Sequence, residues 1–319
     1  MAVEETLSTV ADLETEGLRS AQPVTLWRTA WRRLFRRKSA VLGLIILGIL
    51  VFVAVFAGWI APYRPNQVLI GIEPVKMRQD PCIHLLGCPR DQPQHIMGTD
   101  GNVRDEFSRI IFGARLSLIV GFATVTFAIL IGAVLGALAG YLGGQVDNVI
   151  MRFMDVLLAF PSLLLAIAIV TILGPGLINA LIAIAIVSIP AYARVTRASV
   201  LTVREMAFVD ASRAMGGGTL YILFGRIMPN ALTPLIVQGT LGIATAILDA
   251  AALSFLGLGA QPPDPEWGSM LGAERNQVFT APHLVFYPGL AIMLTVLSFN
   301  LLGDGMRDAL DPRLAQESR

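Results

Sequence analysis

Charged side chains that suit docking to another protein are concentrated in one polar segment, 204–230, between two long apolar runs. Arg204, Glu205, Asp210 and Arg213 lie within its first ten residues. Charges at a protein surface orient a partner more than they add affinity. The segment is therefore predicted to bind another protein and to transmit movement, rather than to catalyse a reaction. An ordinary solvated loop with two short helices would carry the same residues, and the pattern alone leaves both interpretations open.

The order of residues inside this segment predicts two short helices joined by a sharp turn. A helix over 204–215 presents Ala211 and Ser212, whose small side chains let another surface approach closely. Three glycines at 216–218 follow, and glycine permits backbone conformations that other residues rarely adopt. Pro229 fits poorly inside a helix. We expect it to redirect the chain before the next apolar run.

Motifs for nucleotide hydrolysis and common hydrolytic chemistry are absent from the sequence. The two lysines, Lys38 and Lys76, do not follow glycine, so the phosphate-binding GxxxxGK[ST] pattern is missing. HExxH and GxSxG do not occur either. Active transport by this chain would need an ion gradient or an ATPase on another chain. No catalytic, metal-binding or cofactor-binding residue is expected here, and the polar segment favours the separate ATPase.

The composition predicts an all-α integral membrane protein with six transmembrane helices. Of the 319 residues, 55% are hydrophobic and 15% charged, which is too apolar for an ordinary soluble domain. Six runs approach the roughly 20 residues that cross a hydrocarbon core of about 30 Å. Membrane-spanning β-strands would be shorter than these runs, and their residues would alternate between apolar and polar. The runs are 40–60, 116–142, 150–173, 178–192, 232–258 and 284–302.

The basic residues before the first run predict the orientation. Six arginines and lysines lie within 28–38, and the positive-inside rule places such a cluster in the cytoplasm. Six spans return the C-terminus to the same side. The remaining expected parts are a disordered cytoplasmic tail over 1–22, an amphipathic interfacial helix over 23–39, a first span over 40–60, an extracytoplasmic loop over 61–109, a five-span core over 110–303 with a cytoplasmic insert at 194–230, and a cytoplasmic tail over 304–319.

Three further features outside the insert suggest specific roles. Cys82 and Cys88 fall in the external loop, where oxidising conditions permit a disulfide; a metal site using a nearby histidine is the weaker alternative. Asp249 is a carboxylate within a span, where charge is costly. It is a candidate for the translocation path, and a structural hydrogen bond to a neighbouring helix or subunit is the alternative. Small residues at Gly132 and Gly136 have the spacing of closely packed membrane helices.

The polar segment resembles the coupling motif of ABC-importer permeases. That motif has an acidic residue, two small residues, three others and a glycine, followed later by a hydrophobic residue and proline. Arg226 stands where the general pattern has isoleucine, and in this the chain resembles the peptide-transporter branch. The matching residues are Asp210, Ala211, Ser212, Gly216, Met228 and Pro229.

Three other segments are similar to dipeptide and oligopeptide permeases, in the family's order: 95–118, 249–259 and 303–313. The chain departs from that family at Val103, where glycine is usual, which points to a different turn. It also has Ala250 where glutamate is usual, with the carboxylate one residue earlier.

The resemblance implies a type I ABC importer permease fold and the second-type permease subunit of a peptide importer. The implied partners are a homologous permease in a heterodimer, two ATPase subunits that hold ATP and Mg, an extracytoplasmic binding protein, a peptide substrate and membrane lipid, but no nucleic acid. A coupling role would fall to Arg204, Glu205, Asp210, Ala211, Ser212, Arg213, Gly216 and Pro229.

Two other functions remain as alternatives. An ion-coupled secondary transporter would show inverted repeats and discontinuous helices, and would leave the polar segment unexplained. An ABC permease for nickel or another small solute would share the resemblance. A membrane enzyme lacks support, because no cluster of ionisable residues accompanies the spans.

Overall fold

The apolar runs form helices because the backbone has no water to bind in lipid and must satisfy its polar groups internally. The computed structural model describes residues 31–310, which are helical apart from loops with isolated β-bridges. The helices are α1 (Lys38–Val55), α2 (Ala57–Ile60), α3 (Glu106–Leu142), α4 (Gly144–Leu158), α5 (Ser162–Leu173), α6 (Leu177–Val203), α7 (Ala207–Ala214), α8 (Met228–Phe255), α9 (Trp267–Glu274) and α10 (His283–Leu310).

The described residues contain five helices long and apolar enough to cross a membrane, or six if a bent pair counts as one span. That pair is α4 and α5, which meet at 91°. The expected straight span over 150–173 is therefore two helices. Pro161 lies at the break, where it lacks a backbone N–H and disfavours helical geometry in the residue before it.

Several helices extend beyond the apolar runs that predicted them. Helix α3 begins at Glu106, inside the expected loop 61–109, because the side chain of Asp105 caps it and accepts a hydrogen bond from the Ser108 N–H at 2.8 Å. At 37 residues it is about 55 Å long. Helix α6 continues to Val203, beyond the run that ended at 192.

The two ends of the chain also differ from the expected boundaries. The first span ends at Val55, and the short helix α2 follows after Phe56. Helix α10 extends to Leu310, so residues 304–310 continue a helix rather than beginning a tail. The expected tail 1–22, residues 23–30 of the expected interfacial helix 23–39 and residues 311–319 lie outside the described residues.

Pro229 does not redirect the chain. A π-helix over Tyr221–Ile227 runs directly into α8, where Pro229 is the second residue. The Met228 N–H bonds to the carbonyl of Leu223, five residues back. The wider π turn shifts the hydrogen-bond register just before the proline, so the missing N–H does not break the helix.

Close packing between α3 and α6 holds the centre of the bundle together. A Cβ on Gly132 would lie 2.8 Å from the Cβ of Tyr192, and one on Gly136 would overlap the carbonyl oxygen of Ala193. The glycines therefore bring the two helix backbones together, as small residues do in membrane bundles. A second apolar cluster lies beneath α7 and joins it to α3, α6 and α8.

Candidate coupling surface and loop charge cluster

Helix α7 is anchored by one face and exposed on the other. Val209 is fully buried and packs in the apolar cluster that also contains Val203 and Leu223. The hydroxyl of the buried Ser212 donates to the carbonyl of Phe208 at 2.9 Å, within the helix. The cluster fixes the position of α7 because its apolar members lose contact with water only when the helix is seated.

The opposite face of α7 carries a charged pair. Asp210 and Arg213 form an ion pair at 3.0 Å, and both side chains are largely exposed. The Arg213 guanidinium also lies 5.9 Å from the ring centroid of Tyr141, near the end of α3, within cation–π range. Ala211 is exposed beside them. The predicted coupling residues of this helix thus form one accessible surface, with the exception of Ser212.

Arg204 connects the ends of two long helices. It caps α6, its Nη1 donates to the carbonyl of Gly140 near the end of α3 at 2.9 Å, and its Nε pairs with Glu205 at 2.8 Å. The Glu205 side chain is 72% exposed. Arg204 therefore braces the base of α7, whereas Glu205 adds to its exposed charge.

The glycine turn after α7 depends on a left-handed residue. Gly216 has φ +81°, and the N–H of Gly217 donates to the carbonyl of Ser212 at 3.0 Å. No atom lies within 4 Å of a Cβ built on Gly216 or on Gly218, but only Gly216 has positive φ. The constraint at Gly216 is therefore conformational rather than steric.

Pro229 and Asp249 lie on the same helix, twenty residues apart. At about 1.5 Å per residue this separates them by roughly 30 Å, so Asp249 does not join the surface of α7. Pro229 is exposed and close in sequence to the π-helix. Asp249 is half-buried, and its side chain makes no hydrogen bond or ion pair with any residue in 31–310. The Asp249 carboxylate is therefore accessible to a substrate or to another subunit.

Cys82 and Cys88 are joined in a disulfide, with 5.4 Å between their Cα atoms. The bond closes a short loop in the 61–105 connection. His84 lies inside that loop and contacts the carbonyl of Gln92 at 2.8 Å.

Two ion pairs that the sequence analysis missed hold α6 against α4. Arg197 makes a bidentate contact with Asp147, both distances being 2.5 Å, and Arg194 contacts Asp155 at 2.6 Å. The two aspartates are eight residues apart on α4, and the two arginines are three residues apart on α6, so the aspartates share one helix face and so do the arginines. This spacing in the sequence could have indicated that the two faces pair. The contacts make α4 and α6 a braced unit that leads into α7.

The opposite end of the bundle carries a buried charge cluster in the loop layer, which we define as residues 61–105 and 256–282 together with the start of α3. Asp100 accepts from the backbone N–H of Arg104 at 2.8 Å and from its Nε at 2.7 Å. Arg109 approaches the same carboxylate at 3.5 Å. Buried ion pairs of this kind need several hydrogen bonds to offset desolvation.

Long-range contacts tie the two segments of the loop layer to each other. Arg78 pairs with Glu274 at 2.8 Å, although the two residues are 196 positions apart. The buried Glu266 caps α9 through the N–H groups of Gly268 and Ser269. Burial raises the pKa of Glu266, while those N–H groups oppose the shift.

Val103 lies in a turn of the loop that precedes α3. Its φ is +56°, so it adopts the left-handed conformation that glycine favours. The side chain is buried, and the backbone carbonyl accepts from the Leu69 N–H at 2.9 Å. Burial and this hydrogen bond hold valine in an unfavourable conformation.

His95 is fully buried between two carboxylates. Its Nδ1 lies 2.8 Å from Asp105 and its Nε2 3.2 Å from Glu73, which also accepts from the Tyr63 hydroxyl at 2.8 Å. Burial disfavours the charged ring, but Asp105 and Glu73 outweigh it and raise the pKa of His95. A protonated ring donates to both carboxylates.

The raised pKa of His95 predicts that the stability of the fold decreases as the pH rises above the unfolded-state value. A histidine whose pKa is higher in the folded state stabilises that state fully below the unfolded value, about 6.5, and the contribution fades as pH rises through the folded value. We expect the thermal unfolding midpoint of the purified protein to fall over that range. His95→Gln should flatten the profile, whereas His84→Gln should not. An unchanged profile in His95→Gln would contradict this role.

Two family descriptions match the chain. Residues 132–316 match the family described as "Binding-protein-dependent transport system inner membrane component". Residues 25–81 match the "N-terminal TM domain of oligopeptide transport permease C". The two matches include α1 and most of the bundle that carries α7.

Curated relatives are similar over nearly the whole chain. The di/tripeptide transport system permease protein DppC of Pseudomonas aeruginosa is 50% identical over 284 residues, covering 89% of this chain and 91% of the relative. The dipeptide transport system permease protein DppC of Alkalihalophilus pseudofirmus is 49% identical, with 91% of each chain covered. The glutathione transport system permease protein GsiD of Pectobacterium atrosepticum is 43% identical, covering 91% of this chain and 92% of the relative.

A solved structure supports the fold. Inward-facing MetNI methionine ABC transporter matches with a TM-score of 0.53 and 20% identity, over 64% of this chain and 96% of that one. This likeness concerns architecture alone. The family match covers more than half of the chain, and two relatives are about 50% identical to it. This chain, an all-α membrane protein, therefore belongs to the binding-protein-dependent transport system inner membrane components, the permease subunits of ABC importers.

Proposed function

We propose that this chain is the second-type permease subunit of an ATP-driven importer that moves di- or oligopeptides across the cytoplasmic membrane. The observation that carries the proposal is the 50% identity, over 89% of the chain, to a protein named as a di/tripeptide permease. The anchored, charge-bearing helix α7 supports it, because this chain has no phosphate-binding loop of its own.

The orientation follows from charge. The α7 end of the bundle carries the ion-paired arginines of α6 together with Arg204, Arg213 and Arg226. Positive charge favours the cytoplasmic side. The proposal therefore places α7 and both termini in the cytoplasm, and the loop layer on the extracytoplasmic side.

The proposed assembly contains a homologous permease, two cytoplasmic ATPase subunits that bind ATP and Mg, and an extracytoplasmic binding protein that delivers the substrate. Closure of the ATPase pair would move α7 as a rigid body. Arg204, which lies just before α7, ties the end of α6 to the end of α3, and Arg197 holds α6 on α4. Through these contacts the motion would pass into the spans. Nucleotide shifts the bundle only through different affinities for its two states.

The coupling surface consists of the exposed residues on and beside α7. Asp210, Ala211, Arg213 and Glu205 present side chains to the ATPase in this proposal, and Gly216 permits the turn that ends α7. Asp249 is the candidate for the translocation path, because it lies within a span and its carboxylate has no partner among residues 31–310.

Reconstitution of the complete transporter in proteoliposomes tests the function. ATP-dependent uptake of a labelled dipeptide should require the binding protein, and competition with unlabelled dipeptides, longer peptides and nickel should identify the substrate class. Uptake by the permease alone, driven by protons or sodium without an ATPase, would refute the proposal. Competition by nickel and not by peptides would refute the substrate class.

The turn at Gly216 provides a sharper test of coupling. Gly216→Ala should strain the left-handed turn by about 1–2 kcal/mol and lower the amount of peptide imported per ATP hydrolysed. Gly218→Ala is the matched control, because its position is equally open but has no positive φ. Equal coupling ratios in the two variants would contradict the conformational role of Gly216.

A further inference from the structure

A polar pocket opens in the loop layer between the N-terminus of α3 and helix α9. Its volume is about 200 Å³. Its lining contains four carboxyl groups and three arginines. The charged lining residues are Arg78, Arg104, Arg109, Asp100, Glu106, Asp264 and Glu274.

The three arginines already have acceptors. Arg78 is 2.8 Å from Glu274, and Arg104 is 2.7 Å from Asp100. Arg109 donates to the carbonyls of two loop prolines and lies 3.5 Å from Asp100. None of them is left to receive an anionic ligand without breaking a contact that is already made.

Glu106 stands apart from this network. It is 2% exposed and lines the pocket, yet its side chain makes no hydrogen bond or ion pair with any residue of the described range 31–310. Asp264 lies exposed in the same lining, and its carboxylate likewise has no partner within that range. A buried carboxylate without a partner is costly, and burial raises the pKa of Glu106 to about 8. A positively charged hydrogen-bond donor in the pocket would offset this cost and favour the charged form of Glu106.

We propose that this pocket receives a basic side chain, lysine or arginine, of the extracytoplasmic binding protein, with Glu106 as the acceptor at its base. The inference rests on the proposed function, which places the loop layer on the extracytoplasmic side. The family description names these membrane components as binding-protein-dependent. In that orientation the loop layer faces a binding protein that approaches from the extracytoplasmic side. Asp264 adds negative charge on the exposed part of the lining.

The test measures affinity between the binding protein and the complete transporter in nanodiscs. Glu106→Gln keeps the size of the side chain and removes its charge. It should raise the Kd of the binding protein by about tenfold, equivalent to about 1.4 kcal/mol. Asp91→Asn is the matched control, because Asp91 is an exposed carboxylate of the same loop that does not line the pocket.

An unchanged Kd in Glu106→Gln overturns the inference, and so does an equal weakening in Asp91→Asn. The outcome is separable from that of the proposed function. If the wild-type assembly shows no uptake that depends on the binding protein, the proposed function fails. If wild-type uptake is normal and Glu106→Gln binds as tightly as wild type, the pocket inference alone fails.

A second measurement does not depend on the folding of Glu106→Gln. Both native cysteines are in the disulfide, so Ala273→Cys places a single free thiol on the exposed rim of the pocket. A benzophenone maleimide attached there should crosslink to the binding protein next to a lysine or arginine, as located by mass spectrometry. Crosslinking only to added free peptide, or to a surface of the binding protein without basic residues, overturns the inference.

Discussion

Asp210→Arg is expected to lower ATP-driven uptake by about a hundredfold or more, because like charges brought together at an interface cost several kcal/mol. Membrane insertion should remain at the wild-type level. The Asp210 side chain is 68% exposed, and Arg213 is its one ion-pair partner among residues 31–310, so its loss removes little from the fold. Reversal also places two arginines three residues apart on one helix face, where they repel each other.

A charge swap separates the partner from the local ion pair. The double variant Asp210→Arg with Arg213→Asp restores attraction within α7 but presents a reversed pattern to the ATPase. We expect it to stay inactive and to fail to co-purify with the ATPase subunits, since specificity at such surfaces includes repulsion of the wrong pattern. Normal uptake by Asp210→Arg, or recovery of uptake in the double variant, would show that the charge pattern of α7 does not determine its binding to the ATPase.

Gly136→Val is expected to prevent accumulation of folded protein in the membrane. The added Cβ would overlap the carbonyl oxygen of Ala193 and crowd Thr196 on α6. Overpacking a core that can relax costs about 1–3 kcal/mol, and here the obstacle is backbone, which relaxes least. Fluorescence-detected size-exclusion chromatography should show aggregation in place of a symmetric peak.

Gly48→Val is the matched control for this variant. Gly48 lies in α1, which also spans the membrane, but no atom lies within 4 Å of a Cβ built there. We expect a wild-type elution profile and a thermal midpoint close to wild type. A normal profile for Gly136→Val would mean that α3 and α6 are not packed as closely as the structure shows.

The spans and the family could be predicted from the sequence because both depend on short, contiguous patterns. A hydrocarbon solvent requires each spanning run to satisfy its own backbone, so apolar length alone indicates a helix. The same patterns misplaced the start of α3, because the polar cap Asp105 begins that helix inside the expected loop. They also treated 150–173 as one span, although Pro161 breaks it.

The prediction for Pro229 was wrong for a related reason. Proline disfavours a helix interior when the preceding turn is an α turn. The π-helix over Tyr221–Ile227 replaces that α turn, and the residue types in this segment do not predict a π-helix. At Val103 the tertiary structure overrides local propensity in another way. Its buried environment holds a β-branched residue in the left-handed conformation, which such residues rarely adopt.

The sequence by itself determined that this chain is a helical membrane protein with a glycine-ended polar helix between spans, since lipid burial and turn geometry act over a few residues at a time. Only the tertiary structure decided which charges are satisfied. Arg78 meets Glu274 across 196 residues and Arg197 meets Asp147 across 50, while Glu106 meets none in residues 31–310. Such pairings depend on how helices pack, and packing brings together residues that no local pattern connects.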